Sequence, residues 1–173
     1  MIVIGIDPGL DGAIAILCPE TMKLERILDV PTMGTKPRIV NVLGLYSQIK
    51  EAVRVYGPVM CWLEEAWARP KQGVSTSFKC GRTIGNIEAV IICVGWPIRT
   101  VTPAKWKLHF GLAAKGKTKH DSRARATRLF PASAEQFSRA KDDGRAEAAL
   151  IALYGAEQSR MMAKEDAQEQ VNT

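Results

Sequence analysis

Four acidic side chains stand out by position. Asp7 closes an apolar run from Met1 to Ile6, and Glu64 closes another from Val59 to Leu63. A carboxylate at the end of a buried strand is costly to desolvate unless something compensates its charge, and metal coordination does so well. Asp143 and Glu147 lie four residues apart in KDDGRAEAALIALYG at 141–155, a spacing that puts both on one helix face. The same face runs on through Leu150, Ile151 and Tyr154, so it points towards a core. Each acid also has a plainer reading. Asp7-Pro8-Gly9 is good turn chemistry by itself, Glu64 fits a surface glutamate where a strand leaves its sheet, and Asp143 fits a helix N-cap. The last is weakened because a capping box wants its Glu three residues after the cap, where Ala146 stands. Four hard oxygen donors without a Cys/His cluster suit Mg²⁺, with Mn²⁺ as a substitute. Two such ions ~3.5–4 Å apart can clamp the attacking and leaving oxygens of an in-line phosphodiester displacement.

A phosphodiester substrate is consistent with the charge distribution. Between Arg99 and Arg145 there are twelve Lys or Arg against four Asp or Glu, a surplus larger than the +6 of the whole chain. Part of this charge is solvated surface, because Arg123, Arg125 and Arg128 cannot share one helix face. The run KGKTKHDSRARATR at 115–128 nevertheless reads as a footprint for a phosphate backbone, with residues 105–128, Lys115 and Lys117 among them, as its main part.

The elements that must position these groups can be read along the chain. Met1–Ile6, Ala13–Leu17 and Leu24–Val30 read as three consecutive strands joined by turns. After Pro37, a stripe of Ile39, Val42, Tyr46, Ile49 and Val53 predicts a helix ended by Gly57-Pro58. Val59–Leu63, apolar on both faces, reads as a central strand. Residues 68–77 read as loop, 78–94 as a helix striped by Ile84, Ile87, Ile91 and Val94, and Pro97–Val101 as a further strand. Short helices are expected over 105–112 and 121–129, and a last one over 143–158. Three strands followed by alternating helices and strands predict an α/β domain, with a mixed sheet (antiparallel meander plus parallel strands) flanked by helices.

At 173 residues, 46% of them apolar, the chain suits one domain, here 1–156, with 157–173 as a polar tail expected to fray. That length argues against an architecture of two large lobes. Cys18, Cys61 and Cys93 sit in apolar runs and are expected as small buried side chains; with Cys80 they form no C-x-x-C pair, which argues against structural zinc and for a reducing compartment. No signal-like leader or membrane-length apolar stretch is present, so a cytoplasmic bacterial or phage protein is expected, without a membrane partner or small-molecule cofactor.

IGIDPGLDGAIAIL at 4–17, WLEEAW at 62–67, the residues between Thr102 and Arg123, and KDDGRAEAALIALYG at 141–155 together resemble a RuvC-type Holliday junction resolvase, in particular the phage and chloroplast branches. The resemblance implies a ribonuclease-H-like fold and a homodimer with two metal-dependent active sites that nicks opposed strands of four-way junction DNA. It implies that Asp7, Glu64, Asp143 and Glu147 hold two metal ions. Lys119 and Lys107, with Lys105 as fallback for the latter, match basic residues near the scissile phosphate. Trp67 matches an aromatic of the junction-facing loop, while Lys71, Lys79, Arg82 and Arg123 are further candidates for DNA contact. Helix 78–94 corresponds to the family's dimer helix. The bacterial branch commonly carries two aspartates three apart where this chain has Asp and Glu four apart, so Asp142 stays an alternative to Asp143, as Glu65 does to Glu64. Competing readings are a ribonuclease-H-like nuclease acting on structured RNA or other branched DNA, an ATPase with an actin-like phosphate loop, and a non-enzymatic junction-binding protein.

Overall fold

The computed structural model describes residues 1–57, 59–66, 72–113 and 119–171. Its centre is a five-stranded sheet built from β1 (Ile2–Asp7), β2 (Ala13–Cys18), β3 (Lys23–Asp29), β6 (Val59–Glu64) and β7 (Ile98–Val101), in the order β3-β2-β1-β6-β7. β2 runs antiparallel to β1 and β3, while β6 runs parallel to both β1 and β7. The expected meander and parallel strands thus share one mixed sheet. A two-stranded hairpin of β4 (Thr32–Met33) and β5 (Ile39–Val40) stands apart from it.

Helices cover both faces: α1 (Val42–Tyr56) and α2 (Val74–Val94) on one, α3 (Pro103–His109), α4 (Lys119–Leu129) and α5 (Asp143–Val171) on the other. Strand alternation sorts the core. Ile2, Ile4 and Ile6 of β1 join Cys61 and Leu63 of β6 beneath α1 and α2, whereas Val3 and Trp62 face α5. Helix α5 approaches the sheet closely because both surfaces are small. It presents Ala148, Ala149 and Ala152, all fully buried, and a Cβ on Gly5 would fall on the backbone of Ala148 and Ala152.

Several element boundaries move from their expected places, each for a local reason. Ile39 belongs to β5, and α1 starts after Asn41, whose Oδ1 accepts the Gly44 N–H at 3.0 Å as an N-cap does. The buried stripe of α1 is therefore Leu45, Ile49 and Ala52. Helix α2 begins at Val74 and ends at Gly95, which adopts the left-handed conformation (φ 81°) that a helix C-terminus favours. Helix α3 starts at Pro103, behind an N-cap made by Thr102, and α5 continues to Val171 rather than stopping near Gln158. Cys61 is buried, and burial pushes its thiol pKa up to about 12, but Cys18 is half-buried and Cys93 exposed, against the expectation. The stripe on α2 also has a different use. Ile87 and Ile91 are fully buried in the protein's own core, and the apolar side chains left in water are Val74, Phe78 and Ile92. No described helix is long and apolar enough to cross a membrane.

Candidate active site

The parallel register that pairs Ile6 with Leu63 brings Asp7 and Glu64 to the same end of two adjacent strands. Alternation puts Asp7 on the face of Val3 and Gly5, and Glu64 on the face of Trp62, so both belong to the face that α5 covers. Helix α5 begins beside them. A Cβ on Gly144 would lie 3.0 Å from Asp7 Oδ2 and would collide with the Asp11 carbonyl oxygen, so the absence of a side chain there lets the α5 N-terminus seat against the β1–β2 turn. Asp7, Glu64, Asp143 and Glu147 consequently line one cleft of about 880 Å³. Lys107, Arg139, Lys141 and Asp142 line it too.

Donors from α3 and α4 meet Glu64, Glu147 and Asp143. Buried Trp106 donates Nε1–H to Glu64 Oε2 at 2.6 Å. Lys107 Nζ lies 3.2 Å from Glu147 Oε1, to which Ser122 also donates at 3.3 Å. Arg123 Nε donates to Asp143 Oδ1 at 2.9 Å. Glu147 is 8% exposed, so its charge is mostly withdrawn from water and its partners matter. The donor chemistry fits a hard divalent cation, since carboxylates line the cleft and, among the described residues, no Cys or His does. Among the described residues no three His, Cys, Asp or Glu groups are gathered to hold a metal ion, and the Lys107 and Arg123 cations lie against two of the acids.

The alternatives left open by the sequence separate here. Glu65 accepts a hydrogen bond from Thr100 Oγ1 at 2.6 Å and does not line the cleft. Asp142 does line it but is committed to Arg139, accepting from its backbone N–H at 2.8 Å and from its guanidinium at 2.8 and 3.1 Å, as the cap of the short turn that precedes α5. Burial pushes the Asp142 carboxyl pKa up, but the Arg139 hydrogen bonds outweigh this and hold it below the ordinary value. Lys105 is exposed on α3 outside the cleft, and Lys79 and Arg82 sit on α2 against a neighbouring cavity. Lys119 opens α4. Trp67, Lys71, Lys115 and Lys117 lie outside the described residues.

Sequence reasoning missed Trp106, Ser122, Arg139, Lys141 and Gly144. Trp106 had a weak signal, a tryptophan on the short amphipathic helix expected over 105–112, but its acceptor Glu64 lies 42 residues away in the chain. Gly144 had none, since its role depends on a close approach between distant segments.

No protein-family model matches the sequence, and no curated protein matches it. Solved structures do match. The chain is similar to Thermus thermophilus RuvC, both in complex with a Holliday junction substrate (20% identity, 93% of this chain and 96% of that chain, TM-score 0.66) and in a second structure (19% identity, the same coverage, TM-score 0.63). It is also similar to the yeast mitochondrial Holliday junction resolvase Ydc2 (12% identity, 98% of this chain and 83% of that chain, TM-score 0.57). The chain has the RuvC fold. The ribonuclease-H-like mixed sheet expected from the order of elements is therefore the one observed.

Proposed function

We propose that the protein is a structure-selective endodeoxyribonuclease that resolves four-way DNA junctions by paired nicks. The observation that carries this reading is the convergence of Asp7, Glu64, Asp143 and Glu147, from two strands and one helix, on a single cleft bordered by Lys107, Arg123, Arg139 and Lys141. The shared fold with proteins described as Holliday junction resolvases supports the substrate.

In this reading the four carboxylates hold two Mg²⁺ ions. Bound there, the metals supply an activated water and charge stabilisation at the scissile phosphate. The remaining work belongs to the chain. Trp106 fixes the Glu64 rotamer, while Lys107 and Arg123 neutralise Glu147 and Asp143 before metal enters and are then placed to meet a phosphate. Lys119, Lys71 and the basic run from 105 to 128 hold the DNA backbone, and Trp67 stacks on an unpaired base of the junction. Two coordinated nicks need two such sites, supplied by a homodimer through α2. Val74 and Ile92 are 87% and 66% exposed, and the space above Gly81 and Gly85 is open enough for a second helix to come close.

The test is cleavage of synthetic mobile and fixed four-way junctions in Mg²⁺, mapped to the nucleotide. Symmetric nicks on opposed strands are expected. Failure to cut any junction in Mg²⁺ or Mn²⁺, or preferential cutting of structured RNA, would overturn the reading.

A further inference from the structure

A second cavity of about 590 Å³ lies beside the acidic cleft, between the β4–β5 hairpin and the first half of α2. Its size is within the range of small-molecule sites. Leu10, Pro37, Ile39 and Phe78 give it an apolar floor, and Lys36, Arg38, Lys79 and Arg82 surround that floor with four cations. None of the described residues that line it is acidic. Leu10 and Arg38 line both this cavity and the acidic cleft, so the two are adjacent. Arg38 stands at the border, where its Nη2 lies 2.6 Å from Asp11 Oδ1 in the turn that follows Asp7.

We propose that this cavity receives one unstacked nucleotide of the DNA strand that enters the acidic cleft, its base against Phe78 and its phosphates among Arg38, Lys36, Lys79 and Arg82. The inference rests on the nuclease reading and adds to it a base-binding subsite outside the metal centre. Phe78 is 71% exposed in the single chain, at the edge of the α2 stripe proposed to meet the partner and facing the cavity, where a base would cover it. Among the described residues Lys36, Lys79 and Arg82 make no ion pair, so their charge is available to a polyanion. The homodimer proposed above uses the adjoining α2 stripe of Val74, Gly81, Gly85 and Ile92; a second copy carrying a net charge of +6 offers little to the four cations of the cavity itself.

The test uses the full chain, a four-way junction and metal-free buffer, with an abasic nucleotide placed in turn at each position flanking the mapped nick. Stacking on an aromatic is worth about 1–3 kcal/mol per base, so removing the right base should weaken wild-type binding about 5- to 100-fold at one position. Phe78→Ala should weaken binding of the intact junction by a similar factor and become indifferent to the abasic position, while Phe78→Tyr behaves as wild type. Because Phe78 is exposed, unchanged thermal melting is expected to show that the variant folds. If Phe78→Ala binds and nicks an intact junction normally, or if its loss multiplies with that of the abasic site, the subsite is wrong although the nuclease reading stands. Conversion to a monomer by Phe78→Ala, with no dependence on the abasic site, would assign the cavity to a second copy and overturn the proposal. A wild type that neither binds nor cuts junctions overturns both.

Discussion

Adjacent residues at the start of α5 carry the same charge and have opposite uses. Asp142 is 1% exposed and spends its oxygens on Arg139, whereas Asp143 faces the cleft and meets Arg123. Asp142→Asn should therefore cost about 0.5–2 kcal/mol, the range for a lost cap, in urea unfolding, while its folded fraction still nicks. Asp143→Asn should leave the urea midpoint near normal and lower nicking at least about a hundredfold, as expected for a group that stabilises transition-state charge. Asp7→Asn should behave like Asp143→Asn. Junction binding by Asp7→Asn should persist or tighten in metal-free gel shifts, because one repulsive charge is gone; normal nicking would instead make Asp7 a turn residue. Asp142 also carries a pH signature. Its folded pKa is held below the ordinary carboxylate value of about 3.9, so its stabilisation is complete above that pH and is lost as pH falls through the depressed value. The Arg145 hydrogen bond depresses Asp29 in the same direction. Stability should consequently be flat with respect to these two groups from pH 5 to 8 and decline below about pH 4, with a shallower decline in Asp142→Asn, as read by urea midpoints across pH.

At the scale of elements, the site depends on how closely α5 can lie on β1. Gly5 and the alanines of α5 set that distance, and Gly144 lets the helix start against the Asp7 turn. Gly5→Ala adds one methyl group where backbone already stands, and no flexible side chain can yield. Overpacking of this kind costs about 1–3 kcal/mol. The shift also moves Asp143 and Glu147 relative to Asp7, so nicking by the folded protein should fall along with the urea midpoint. Normal nicking with lowered stability would mean that the cleft tolerates a displaced helix.

For the whole molecule, the basic surplus predicts junction affinity that falls steeply with salt, because each neutralised phosphate releases condensed counterions. Replacing Lys115 and Lys117 by Ala should flatten the log–log slope by about one to two units, as measured by fluorescence anisotropy from low to moderate salt. A slope left unchanged after five or more substitutions between 105 and 128 would place the footprint elsewhere. The outward face of α2 carries the expectation about assembly: Ile92→Glu should shift a dimer to a monomer in sedimentation velocity without unfolding it, since that side chain is 66% exposed.

The sequence by itself determined the fold class and marked the four acids that the fold brings to one cleft. Apolar runs that end in Asp7 and Glu64, and the i, i+4 spacing of Asp143 and Glu147, are local patterns, and period and polarity can be read without knowing what packs against them. Even the shared face of Asp7 and Glu64 follows from alternation once the strands are paired. Only the tertiary structure separated Asp142 from Asp143 and Glu64 from Glu65, because neighbours in a chain differ by direction, and direction matters only when Arg139, Thr100 and Trp106 arrive from elsewhere. The same holds for the stripe on α2. Its apolar period predicted a helix but not whether the chain's own sheet or a partner covers it, and Ile87 and Ile91 prove to be covered from within. The basic cavity beside the cleft is the clearest case, since it joins residues near 10, 37 and 80, and no local pattern encodes the contact between a hairpin and a helix forty residues apart.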